Sequence, residues 1–120
     1  MKTVLVADDK ATSRELVRAV LEDSGYQIIE AGDGLEALRS ARQSKPDLIL
    51  LDLHMPGLDG FGVVREIRRD DDLAATPVVA LTASAMQGDR ERALGAGFTG
   101  YISKPISLRT LRSEVERLLK

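Results

Sequence analysis

The sequence contains no cysteine and a single histidine, His54. Without thiols there is no disulfide framework and no thiolate metal site. Neither sign of charge dominates: 17 Lys and Arg against 19 Asp and Glu leave a formal −2. That balance provides no electrostatic footprint for nucleic acid or an anionic membrane as a direct partner. No stretch approaches the ~20 apolar residues that a membrane span requires. The opening "MKTVLVADDK" has an apolar run too short for a signal peptide, and acids follow it. Linkers, internal repeats and low-complexity tracts are also missing. What is present is 120 residues, 43% hydrophobic and 30% charged. This is the size and composition of one globular domain, read as residues 1–120, with a cytoplasmic location expected.

Two kinds of pattern alternate along the chain. Short β-rich apolar runs at 3–7 (TVLVA), 26–31 (YQIIEA), 47–51 (DLILL), 77–83 (PVVALTA) and 99–103 (TGYIS) predict five strands. The third is apolar throughout after Asp47, as befits a strand covered on both faces. Between them lie helical patterns. Residues 12–24 place Leu16, Val17, Val20 and Leu21 on one stripe, closed by Gly25. Asp33 with Glu36 marks the start of a second helix whose apolar face is Leu35, Ala37, Leu38 and Ala41. Phe61, Val64 and Ile67 carry a third, weakened by Gly62. The fourth, 85–96, has only the thin face of Met86, Ala93 and Leu94 and is interrupted by Gly88, so it is the weakest by pattern. Ser107 caps a fifth, with Leu108, Leu111, Val115 and Leu118 at helical spacing. Five alternations predict an α/β fold: a five-stranded parallel sheet of order 2-1-3-4-5, doubly wound with five helices, flavodoxin-like.

That order places the chemistry. In such sheets ligands sit beyond the carboxyl ends of the strands where the strand order reverses. Asp8 and Asp9 end the first strand and Asp52 ends its neighbour, the third. Three converging carboxylates need a cation or must raise their pKa values. An all-oxygen site suits Mg²⁺, with Mn²⁺ able to substitute. Thr82 ends the fourth strand with a hydroxyl, and Lys104 ends the fifth with an ammonium. Together these groups can hold a phosphoryl group, with Asp52 the natural nucleophile and the cations neutralising its charge. Taken singly, Asp9 is equally a helix cap, Thr82 a hydrogen-bonding filler and Lys104 an exposed loop residue. Their joint placement at four of the five strand ends is what points to chemistry.

Several other patterns lead nowhere. "GAGFTG" (95–100) fits G-x-G-x-x-G but closes a helix instead of opening one. Asp70, Asp71 and Asp72 read as a solvated loop. A calcium loop starting at Asp52 has Val63 where a bidentate Glu is required. A flavin site of the same strand order would want a hydroxyl- and glycine-rich loop after the first strand, where "ADDKATS" stands. A metal-dependent phosphatase working through an aspartyl phosphate is the main enzymatic alternative. It would want a second Asp two residues past the nucleophile, and His54 occupies that position.

In order and spacing, "VLVADD", "PDLILLDLHMPGLDG", "PVVALTA" and "YISKPI" resemble the receiver domain of two-component response regulators, over the whole chain. The resemblance implies a signalling phosphoacceptor, not an enzyme proper, that assists its own phosphorylation and dephosphorylation. Asp52 would accept a phosphoryl group from a phosphohistidine of a histidine kinase or histidine phosphotransfer protein. Asp9, Asp52 and the backbone carbonyl of His54 would ligate Mg²⁺ directly, Asp8 through water. Thr82 and Lys104 would contact the phosphoryl oxygens, and Lys104–Pro105 would be cis. Thr82 and Tyr101 would act as the switch, altering the face made by the fourth helix, fifth strand and fifth helix, where a downstream protein binds. The His54 imidazole and Ser84 would tune the lifetime of the phosphorylated state. "YISKPIS" looks most like a stand-alone regulator of cell-cycle phosphorelays, with a receiver from a hybrid histidine kinase as the alternative.

Overall fold

The computed structural model describes residues 1–82 and 89–119. Its elements run β1 (Thr3–Ala7), α1 (Ala11–Asp23), β2 (Gln27–Ala31), α2 (Gly34–Ser44), β3 (Leu48–Asp52), α3 (Gly60–Arg69), β4 (Val78–Thr82), α4 (Asp89–Ala96), β5 (Gly100–Ser103) and α5 (Leu108–Leu119). The strands form one parallel sheet in the order β2-β1-β3-β4-β5, as expected. Strand limits differ from the sequence reading by a residue or so. The difference of consequence is at β3, which runs through Asp52 so that the acid is the last residue of the ladder, opposite Leu81.

Strand parity sorts the core into two layers, since alternate side chains leave opposite faces. Leu5, Ala7, Ile49, Leu51, Val78 and Ala80 face α2, α3 and α4. Val4, Val6, Leu48, Leu50, Val79 and Leu81 face α1 and α5. Each fully buried Leu or Ile contributes about 2 kcal/mol of transfer free energy, so the central strands anchor both layers at once.

The helix ends are set by local chemistry. Asp33 Oδ1 accepts the Glu36 N–H at 2.8 Å and Asp59 Oδ1 accepts the Gly62 N–H at 2.9 Å, capping α2 and α3. Ser107 Oγ lies 3.4 Å from the Thr110 N–H at the start of α5. Asp9 does not cap α1: Lys10 occupies that position with no side-chain cap, and its N–H goes to Asp8 Oδ1 at 2.9 Å.

Four leucines assigned to apolar faces are exposed instead. Leu35 is 62% accessible, and Leu16, Leu94 and Leu108 are also open to solvent. Leu35 and Leu108 stand in the first turns of their helices, and Leu16 and Leu94 at the edge of their stripes. The buried positions are Val17, Val20 and Leu21 in α1, Gly34, Ala37, Leu38 and Ala41 in α2, Ala93 in α4, and Leu111, Val115 and Leu119 in α5. Met86 and Gly88 lie outside the described residues.

At the pole of the sheet opposite the strand carboxyl ends, Arg68 of α3 binds only neutral groups among the described residues. Its guanidinium donates to the carbonyls of Gly97 (2.9 Å), Ala74 (3.1 Å) and Thr76 (2.7 Å) and to Thr99 Oγ1 (3.3 Å). It thereby joins the end of α4 to the approaches of β4 and β5.

Candidate functional site

The site begins with register. Ala7 pairs with Leu51, so Asp8 and Asp52 are the next residues along two adjacent strands. Both are interior: Asp8 is 1% and Asp52 5% accessible, whereas Asp9 is exposed. Thr82 is fully buried and pairs with Ser103, which places Lys104 one residue past the end of β5. The Lys104 N–H reaches back to the Thr82 carbonyl at 2.6 Å, and the Lys104–Pro105 bond is cis.

The buried charges are partnered. Lys104 Nζ donates to Asp8 Oδ2 at 2.7 Å and lies 3.4 Å from Asp52 Oδ2. Asp52 Oδ1 accepts the His54 N–H at 3.0 Å. The Asp52 carboxylate is thus held at one oxygen by backbone and at the other by an ammonium. Burial pushes the Asp52 pKa up, and the neighbouring Asp8 charge adds to this; the His54 N–H and Lys104 oppose it without cancelling it. Burial alone would lower Lys104, but the Asp8 hydrogen bond and the two carboxylate charges outweigh it, so its pKa is raised.

One carboxylate oxygen from each of Asp8, Asp9 and Asp52 lies within 4.8 Å of the others. Three carboxylates against one ammonium leave a formal −2 in the crevice, the charge that one divalent cation balances. The donors are all oxygen, and one acid faces solvent, as a hard, partly hydrated ion such as Mg²⁺ requires. The residues present therefore fit Mg²⁺.

The remaining predicted residues are placed as follows. The His54 imidazole is exposed beside the crevice. Tyr101 is half-buried on β5, packed on the α2–α4 layer. Ser84 lies outside the described residues. Asp70 and Asp72 answer to Arg42 and Lys45 at 3.5 Å each, far from any candidate metal group. Two features escaped the sequence reading. Arg14 donates to the Asp8 carbonyl at 2.6 Å, a bond between helix and strand end that no local pattern signals. A recess of about 280 Å³ beside Lys104 is lined by Thr12, Ser13, Leu16, Pro105 and Ile106. Its signal was Leu16, an apolar residue at the margin of its stripe.

A doubly wound 2-1-3-4-5 sheet with acids and a lysine gathered at its carboxyl edge is the arrangement of a receiver. The chain belongs to the response regulator receiver domain family, which it matches over residues 4–116. It is 45% identical over 107 residues to the polar-differentiation response regulator DivK of Brucella anthropi, covering 89% of this chain and 87% of that one. Among solved structures it is similar to the chemotaxis response regulator CheY4 of Vibrio cholerae, with 34% identity, a TM-score of 0.93 and 99% of both chains covered. The receiver domain of sensor histidine kinase PA1611 of Pseudomonas aeruginosa, which has a magnesium ion coordinated in its active site cleft, is 36% identical with a TM-score of 0.91. That match covers 98% of this chain and 97% of that one. Among the described residues no helix is long and apolar enough to cross a membrane.

Proposed function

We propose that this receiver is a phosphoacceptor switch that takes a phosphoryl group onto Asp52 from a phosphohistidine of a histidine kinase or histidine phosphotransfer protein in the cytoplasm. The observation that carries this reading is the pairing of Lys104 with both buried acids, 2.7 Å from Asp8 and 3.4 Å from Asp52, beside an acid triad within 4.8 Å. In the reaction an Asp52 oxygen bonds to phosphorus, the phosphorus–nitrogen bond of the donor breaks, and the imidazole leaves. The His54 N–H orients Asp52, and Lys104 neutralises charge on the phosphoryl oxygens. Asp9, Asp52 and the His54 carbonyl would hold Mg²⁺, with Asp8 acting through water; when bound, the ion supplies further charge neutralisation at the phosphoryl oxygens. The Thr82 hydroxyl completes the phosphoryl contacts.

Strand parity supports the switch. Thr82 follows Val78 and Ala80, which face α2–α4, and Tyr101 packs on that same layer. A shift of Thr82 toward the phosphoryl group with an inward turn of Tyr101 would alter the α4–β5–α5 surface, offered to a downstream protein. The His54 imidazole and Ser84 would tune the lifetime of the phosphorylated state through access for water.

Mass spectrometry after incubation with acetyl phosphate and Mg²⁺ tests the reading. One phosphoryl group is expected on the wild type and none on Asp52→Asn; an unlabelled wild type, or a labelled Asp52→Asn, refutes it. The recess beside Lys104 is the proposed seat of the protein donor. Leu16→Asp is expected to slow transfer from a phosphohistidine protein at least ~10-fold, since it charges an apolar contact. Labelling by acetyl phosphate, which needs no docking, should be unchanged.

A further inference from the structure

We propose that Arg14 is a positioning residue for the divalent-cation site: it fixes the Asp8–Asp9 peptide and so aims the Asp9 carboxylate into the crevice. The proposal rests on the reading of that crevice as a Mg²⁺ site.

Asp9 is exposed, so packing does not set the position of its carboxylate. The backbone that carries it must do so, and that backbone is secured from two sides. The Asp8 N–H donates to the Ala31 carbonyl at 3.1 Å, and the Asp8 carbonyl accepts from Arg14 Nη1 at 2.6 Å. The second bond fixes the plane of the peptide unit whose other half is the Asp9 nitrogen. Arg14 is itself held, since its Nε donates to Glu30 Oε1 on β2 at 3.0 Å. Glu30 also accepts from Arg18 Nη1 at 2.6 Å, and Arg18 Nε binds Glu22 at 3.1 Å. The fork of the guanidinium lets one side chain grip a carboxylate and a carbonyl at once, which an ammonium does less well. A chain of contacts therefore runs from β2 through Glu30 and Arg14 to the strand end that bears Asp9.

A plainer role exists, in which Arg14 and Glu30 only tie α1 to β2. The sign of one measurement separates the two. A guanidinium close to a cation site repels the cation, so by charge alone its removal would tighten Mg²⁺ binding. If Arg14 positions Asp9, its removal weakens binding despite the relief of repulsion. Outer-sphere partners that orient metal ligands are typically worth about 10–100-fold in affinity.

Calorimetric titration with MgCl₂ of the wild type, Arg14→Met, Arg14→Lys and Glu30→Gln reads this directly. Each protein is titrated below its melting temperature, measured first in EDTA. Arg14→Met should bind Mg²⁺ about tenfold more weakly, Glu30→Gln a few-fold more weakly, and Arg14→Lys should recover part of the loss. Arg14→Met binding as tightly as the wild type, or more tightly, overturns the positioning role. If Arg14→Met does not fold, unchanged affinity in both Arg14→Lys and Glu30→Gln has the same force. A wild type that takes up no Mg²⁺ overturns the site itself, and the positioning role with it. A wild type that binds alongside an indifferent Arg14 variant removes only the latter.

Discussion

Lys104→Met is expected to abolish phosphorylation and, in the absence of metal, to destabilise the fold by about 3 kcal/mol. Its ammonium is the nearest cation to two nearly inaccessible carboxylates, 2.7 Å from Asp8 and 3.4 Å from Asp52. Removing it leaves two buried like charges without their ammonium, so the melting temperature should fall by roughly 10 °C in EDTA. The pH dependence follows from the two shifts. The raised Lys104 pKa means its stabilisation is complete below the ordinary lysine value and is lost only as pH climbs through the raised one. Asp52 works the other way: its raised pKa means its charge subtracts stability at neutral pH, and that cost fades as pH falls through the folded value. Lys104→Met should therefore be most harmful from neutral pH up to the ordinary lysine range, and least harmful in mild acid. Adding Asp52→Asn should restore much of the stability and none of the labelling. Thermal melts between mild acid and neutral pH, with and without Mg²⁺, check the stability, and mass spectrometry after acetyl phosphate checks the labelling. A Lys104→Met protein as stable as the wild type in EDTA at neutral pH would show that the crevice charges are not coupled as the distances indicate.

Gly60→Ala is expected to damage the crevice far more than a single added methyl group suggests. A Cβ at that position would lie 2.6 Å from the Asp52 carbonyl oxygen and 2.8 Å from the Leu53 Cα, backbone atoms that no side-chain rotation can clear. The same residue's N–H bonds the Leu53 carbonyl at 3.1 Å, so the start of α3 is laid directly on the end of β3. Something must move, and the peptide that carries Asp52 is one of the two sides in contact. Overpacking of this kind typically costs about 1–3 kcal/mol. A displacement of about 1 Å at a reacting group can slow chemistry about 100-fold. Labelling by acetyl phosphate should thus fall further than the loss of folded protein explains. Gly95→Ala is the control: open space surrounds its would-be Cβ, and alanine in place of a helical glycine stabilises by up to ~1 kcal/mol. Denaturant titrations of the two variants should move in opposite directions.

The strands, their order and the acids at their ends were legible because each rests on a local signal. An apolar run ended by a charge reads as a buried strand emerging into a crevice, and parallel connectivity then brings β1 beside β3. The helix faces were less legible. Periodicity finds a stripe, but the sheet decides how much of it is covered, and Leu35 and Leu108 stand in first turns that reach past the layer beneath. Least legible were the arginines. Arg14 and Arg68 act through backbone carbonyls, one of them 29 residues distant in sequence, and a carbonyl exists at every position. No residue type marks the acceptor, so only the folded chain discloses the bond. Asp9 illustrates the same limit: as a lone helix cap it was plausible, and the Lys10 N–H turned to Asp8 instead.

The grip of Arg68 on the Gly97 carbonyl has a mechanical consequence. It ties α4 at the end remote from Thr82, so under the proposed function a push that began at the crevice would meet a lever with its fulcrum already set. Under the proposed switch the helix would swing like a door on its hinge, with the greatest travel at its amino end and the least at Gly97. A partner that senses the activated form would feel that travel in proportion to its distance from the pivot.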